Sequence, residues 1–238
     1  MIQQSLQYPR HDDNWITTVI IGGILTLLGA FVIPTIFVLG YFVRVARGTM
    51  RGDEQPPAFD EWGDLFGDGL RAFVIAFVYG LVPGIVGTVF VGGGIFSFVV
   101  GSGTESAGFL GLGTIGILVG GLLALVLSLL AAYVVPAAIS GFAETGRIGT
   151  AFSVDELRPV LTSGTYATAW LSGFAVVLGA VIVGGALNVI PFLGAIVGAF
   201  LTFYAAVAAY YLIGSTWGEL RDIEGTERED TVDDQVAV

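Results

Sequence analysis

Four stretches of the chain, residues 14–43, 72–104, 106–143 and 159–218, contain no Asp, Glu, Lys or Arg. Each is longer than the roughly 20 apolar residues that cross the hydrocarbon core of a bilayer. Together they hold about two-thirds of the 238 residues. Water does not solvate such runs, and one soluble core cannot hide all of them. The chain is therefore expected to be an all-α, polytopic membrane protein: a transmembrane bundle of about five spans with short cytoplasmic amphipathic helices. The expected layout is a polar tail over 1–14, a transmembrane domain over 15–218 and an acidic, disordered tail over 219–238. Cytoplasmic segments at 44–71 and 141–165 interrupt the transmembrane domain.

The expected spans are Ile16–Val43, kinked near Pro34, then Ala72–Val99 with Pro83 inside it, then Gly111–Ile139. The 60-residue run holds two more, Thr165–Leu187 and Phe192–Thr216, turned by Asn188-Val189-Ile190-Pro191. The first and third segments are long enough to tilt or to include a re-entrant piece. No cleavable signal is expected, because the first residues lack a basic region and the apolar run that follows is too long. With five spans, Arg44, Arg47, Arg51, Arg71, Arg147, Arg158, Arg221 and Arg228 fall on one side and Arg10 alone on the other. The positive-inside rule counts basic residues rather than net charge. It predicts a multi-pass protein of the cell membrane with its N-terminus outside and its C-terminus in the cytoplasm.

All nine basic residues are arginine, and 20 acids bring the net charge to −11. Loops this acidic repel one another in dilute buffer, and molar salt screens that repulsion. The pattern is expected of a halophilic archaeon; an ordinary acidic tail combined with codon bias is the alternative. Nucleic acid is excluded as a partner, since it needs basic patches. Without cysteine there is no thiolate site and no thiol nucleophile. The one histidine, His11, lies in the polar N-terminal tail, and no acid or base falls within a span, so the residues of a proton relay are missing. No catalytic, cofactor-binding or metal-binding residue is assigned.

In the loop after the first span, Phe59, Trp62, Phe66, Leu70 and Phe73 recur at helical spacing and predict an amphipathic helix at the interface. Asp60, Asp64 and Asp68 define another face, expected to be solvated rather than to hold a cation, because three carboxylates along one face do not converge. Between Thr150 and Tyr166, Ser153 and Glu156 have capping-box spacing, and Pro159 limits the helix to a short or kinked one. Pro34 and Pro136, each followed by a glycine and an arginine, hint at a duplication. Gly111-Leu-Gly-Thr-Ile-Gly116 has dinucleotide-fold spacing but lacks the strand and acid that motif needs. The pairs Gly80/Gly84, Gly116/Gly120 and Gly194/Gly198 are small-xxx-small patterns that let helix backbones approach.

The run G-Y-x-x-R-V-x-R-x-x-x-R-G at Gly40–Gly52, followed by P-x-F-D-E-W-G-D-L-F-x-D-G-L at Pro57–Leu70, resembles the signature of the prokaryotic membrane family known as domain of unknown function 4013. The region of Phe203-Tyr204-Ala205 and Tyr211–Trp217 is similar to the end of that family's pattern. The resemblance runs over about residues 20–218. It implies an integral membrane protein of a kind common in archaea, with no activity assigned. A more distant likeness to the membrane domain of some glycerophosphodiester phosphodiesterases is one of fold only.

The function expected from these features is that of a non-enzymatic scaffold or accessory component. Its expected partners are the lipid bilayer and either a homo-oligomer or another membrane protein. The alternative is a transporter or channel-like protein for a small or lipidic solute.

Overall fold

A computed structural model describes residues 2–12, 14–190 and 192–236, with side chains as far as residue 221. Nine α-helices account for almost all of the described residues, and none of these is in a strand. They are α1 (Ile2–Gln7), α2 (Trp15–Leu27), α3 (Val32–Met50), α4 (Trp62–Val86), α5 (Gly93–Thr104), α6 (Ala107–Thr145), α7 (Val154–Leu161), α8 (Gly164–Leu187) and α9 (Leu193–Val236). Among the described residues, five helical segments are long and apolar enough to cross a membrane: α3, the run Trp62–Thr104, α6, α8 and Leu193–Arg221. The acidic stretch expected as a disordered tail carries the helical backbone of α9 on to Val236. Its side chains from residue 222 lie outside the described residues.

Two compact units divide the chain: residues 1–73 with 136–238, and residues 74–135. The first has a core of Tyr8, Tyr41, Phe42, Val45, Leu65, Phe203 and Val207. Helices α2, α3 and α8 all pack on α9. Glycines set these contacts. A Cβ on Gly22 or Gly23 would run into the rings of Phe203 and Phe200. A Cβ on Gly214 would meet Thr49 and Ala46 of α3.

The expectation of one continuous first span, Ile16–Val43, is corrected. The chain breaks after Leu27 and resumes at Val32, several residues from the kink expected at Pro34. The two helices form a hairpin. At its base the Tyr8 hydroxyl donates to the Gln55 carbonyl (3.2 Å), and His11 Nδ1 lies 3.1 Å from the Glu54 carbonyl. Residues 8–11 and 54–55 therefore sit together. At the tip, Phe31, Val32 and Ile33 are exposed. The Leu28, Gly29 and Phe31 N–H groups all donate within the turn, and the Thr35 hydroxyl lies 3.1 Å from both the Gly29 and Phe31 carbonyls. An apolar tip that pairs much of its own backbone suits a medium without water.

In the second unit, Pro83 withholds an N–H from α4, and the helix passes into a π-helical turn over Gly87–Gly92 before α5. Helices α5 and α6 turn back on each other through Glu105, which takes a left-handed conformation (φ 53°). They approach through glycines on both sides. A Cβ on Gly94 would stand 2.7 Å from the Ile117 nitrogen, and one on Gly113 would stand 2.5 Å from the Phe98 nitrogen.

Candidate functional site: arginine–carboxylate bridges of the first unit

The signature residues of α3 and the following loop meet one another. Helices α3 and α4 cross with backbones in contact at Gly40 and Gly69. A Cβ on the first would strike the Leu65 carbonyl, and one on the second the Ile36 carbonyl. Just beyond this crossing, Tyr41 stacks on Phe59 with ring centroids 4.3 Å apart, and Phe37 meets the edge of Trp62 at 5.4 Å.

Arg44 then reaches the segment that starts α4. One guanidinium nitrogen donates to the Asp60 carbonyl (3.1 Å) and to Asp60 Oδ1 (2.7 Å). The other donates to the Glu61 carbonyl (3.2 Å) and lies 3.5 Å from Glu61 Oε2. Glu61 has φ 44°, a left-handed conformation unfavourable for a residue with a side chain. A single planar guanidinium with four contacts holds that turn. Sequence reasoning missed this role, and no residue type there announces it.

Arg47, one helical turn on, joins three helices. Its Nε donates to the Ala143 carbonyl near the end of α6 (3.0 Å), and its Nη1 donates to Asp68 of α4 (2.9 Å). Arg71 lies 3.5 Å from the other Asp68 oxygen. A third bridge is built from Arg221 of α9, which pairs with Glu144 of α6 at 3.2 Å and with Glu156 of α7. The Trp217 indole N–H donates to the same Glu144 oxygen (3.0 Å).

The carboxylates expected along one solvated face are thus divided, since Asp60 and Asp68 are paired and Asp64 is exposed. No three of His, Cys, Asp and Glu converge on a point among the described residues. Of the arginines counted for orientation, Arg44, Arg47 and Arg71 sit in these bridges, whereas Arg51, Arg147 and Arg158 are exposed and make no ion pair among the described residues. Two clefts run between the bridges. One of about 230 Å³ is lined by Arg44, Arg51, Asp53 and Glu61, and one of about 190 Å³ by Arg47, Arg51, Glu144 and Trp217. Each mixes guanidinium with carboxylate, so neither presents a single sign of charge. Close by, burial, the charge of Asp53 and the neighbouring Tyr211 push the Tyr8 phenol upward and keep it a neutral donor.

The apolar stripe of the expected amphipathic helix and the packed face of α4 are different sets of residues. Leu65, Gly69 and Ala72 are buried, while Trp62, Phe66 and Leu70 are exposed and Phe59 and Phe73 half-buried. Small residues face the neighbouring helix because close approach at Gly40 leaves no room for aromatic ones. The short helix after Thr150 forms as α7, with Ser153 Oγ accepting the Glu156 N–H (3.4 Å) and Pro159 inside it.

The three glycine pairs differ. Gly116 and Gly120 lie on α6 against Gly94 and Phe90, so the dinucleotide-like spacing belongs to helix packing. Gly194 and Gly198 lie on α9 against Gly184. Gly80 and Gly84 have nothing within 4 Å and line an open apolar groove of about 520 Å³ with Phe77 and Thr88. The two halves suspected of duplication make unlike contacts, because Gly40 meets α4 whereas Gly141 meets Trp217 and Thr150.

No curated protein and no solved structure matches this chain. A family model described as a protein of unknown function, DUF4013, matches residues 23–189. That range takes in the crossing, all of the Arg44 and Arg47 bridges and the helices as far as α8, and it stops short of Phe203–Trp217 and of Arg221. With most of its length covered, the chain belongs to the DUF4013 family of proteins of unknown function.

Proposed function

We propose that this protein is a non-enzymatic scaffold or accessory component of the cell membrane, acting in a homo-oligomer or with a membrane-protein partner. The observation that carries the reading is the use made of the charged signature: Arg44, Arg47, Asp60, Glu61 and Asp68 bind each other and three helix segments together. Each of these groups is engaged with another element of the chain, which is the use a framework makes of charge. Transport of a small or lipidic solute has less support, because the clefts beside the bridges are ion-paired and small and the groove at Gly80 and Gly84 is open and apolar.

The same reading puts both termini in the cytoplasm and replaces the outside N-terminus expected from the sequence. Helix α2 is about 20 Å long, and the uncharged part of α3, Val32–Val43, about 18 Å. Both fall short of a hydrocarbon core of roughly 30 Å, so the hairpin dips into the bilayer and returns. The crossings are then made by Trp62–Thr104, α6, α8 and α9. Arg10, the one exception to the positive-inside rule under five spans, joins the other arginines on the cytoplasmic side.

Native co-purification from high-salt membranes, read by mass spectrometry, tests the role. The expected result is a stoichiometric second copy or a defined membrane-protein partner, with no solute flux when the purified chain is placed in vesicles. Flux or turnover by the chain alone would overturn the reading.

A further inference from the structure

Arg10 lies at one end of a groove of about 490 Å³ between α2 and α9. Its guanidinium carbon stands 5.6 Å from the centre of the Trp15 ring and 5.8 Å from that of Tyr204. Arg10 is exposed and makes no ion pair among the described residues, unlike Arg44, Arg47, Arg71 and Arg221. The Trp15 indole N–H has no acceptor among the described residues either, whereas the Tyr204 hydroxyl donates to the Leu6 carbonyl. The mouth thus presents a cation and an N–H that have no partner among the described residues, and two interfacial aromatic rings.

Away from the mouth the groove is wholly apolar, lined by Val19, Ile196, Phe200 and Leu201. Ile196, Phe200 and Tyr204 stand four residues apart and share one face of α9, which gives an apolar track about 12 Å long.

From this pairing of a charged mouth with an apolar track we infer a binding site for one anionic glycerophospholipid, its phosphate on Arg10 and Trp15 and an acyl chain along α9 toward Ile196. Charge complementarity selects the headgroup, and a guanidinium that already lies over two rings is held in place to receive it. The inference rests on the membrane placement of α9 and is independent of the scaffold role.

Native mass spectrometry of the full chain tests it, with phosphatidylglycerol and phosphatidylcholine titrated separately. The wild type is expected to take its first phosphatidylglycerol about fivefold more tightly than phosphatidylcholine, as one arginine facing a net negative headgroup would give, the Trp15 hydrogen bond to phosphate being common to both lipids. Arg10→Gln should abolish that preference, and Arg158→Gln, at an exposed arginine elsewhere on the unit, should leave it intact. Val19→Trp, which fills the track and keeps the cation, should weaken binding of both lipids. Equal affinity for the two lipids in the wild type, or a preference that survives Arg10→Gln, overturns the site. So does displacement of the lipid by glycerol phosphate at the same concentration, which would make the ligand a free phosphate. Should Arg10→Gln fail to fold, the wild-type preference and the Val19→Trp loss decide the matter.

Discussion

At Arg47 a single side chain supports the ends of three helices. Its partner Asp68 is only 15% exposed and Arg47 itself 28%, so water is a poor substitute for either. Removing the guanidinium leaves the Ala143 carbonyl without its donor and the Asp68 carboxylate with Arg71 alone, at 3.5 Å. Hydrogen bonds to charged groups contribute about 1.5–3 kcal/mol each. Arg47→Gln should therefore destabilise the protein by about 2 kcal/mol, whereas Arg158→Gln, at an exposed residue without a described partner, should stay within about 0.5 kcal/mol. Unfolding midpoints of the two variants check this. The double variant Arg47→Gln/Asp68→Asn should lose less than the two single variants added together, because each removes the same bridge. Full additivity would show that the bridge contributes nothing as a pair.

Among helices, the depth of glycine contacts separates packing positions from open ones. Gly113 and Gly84 carry the same residue in apolar helices, but a Cβ would meet the Phe98 backbone at the first and nothing within 4 Å at the second. Gly113→Ala should therefore destabilise the α5–α6 hairpin by about 1–3 kcal/mol through overpacking. Gly84→Ala should be neutral or stabilising by up to about 1 kcal/mol, since alanine favours the helix. Thermal unfolding of both variants in one detergent checks the contrast, and equal effects would mean that the contact at Gly113 is not made.

The same difference explains what the sequence could and could not show. Helical class, membrane character and the positions of α6, α8 and α9 follow from uncharged runs, which any bilayer would select. The hairpin of α2 and α3 does not. Residues 14–43 are long enough for one tilted span or two short arms, and the turn at Leu28–Phe31 holds one glycine and no polar residue to mark it. The face of α4 that packs on α3 is unmarked in the sequence for a related reason. Aromatic residues dominate a periodicity count, yet the crossing at Gly40 and Gly69 selects the small side chains. The ion pairs were hidden too, because Arg47 and Asp68 become neighbours only once that crossing is made.

For the whole molecule, charge and topology have to agree with one another. A net charge of −11 stands on the surfaces outside the apolar helices, and lowering salt from molar to ~0.1 M lengthens the screening distance from about 3 Å to about 10 Å. If the chain is adapted to a saline cytoplasm, that change should lower its unfolding temperature by at least about 2–4 °C, the shift that ~1 kcal/mol makes in a chain this size. An unchanged midpoint would remove the saline reading. Topology is the sharper test. The hydrogen bonds from Tyr8 and His11 to Gln55 and Glu54 bind the N-terminal segment to the loop that follows α3. An N-terminus outside would then require that loop, with Arg44, Arg47 and Arg51 around it, to be outside as well. The chain has no native cysteine, so single cysteines report cleanly at the exposed positions Gln4, Ser102 and Asp155. Gln4→Cys and Asp155→Cys should react with an impermeant maleimide only after the membrane is opened, and Ser102→Cys should react in intact cells. Labelling of Gln4→Cys from outside with Asp155→Cys protected would mean that α2 and α3 together cross the bilayer, and the re-entrant hairpin would have to be abandoned.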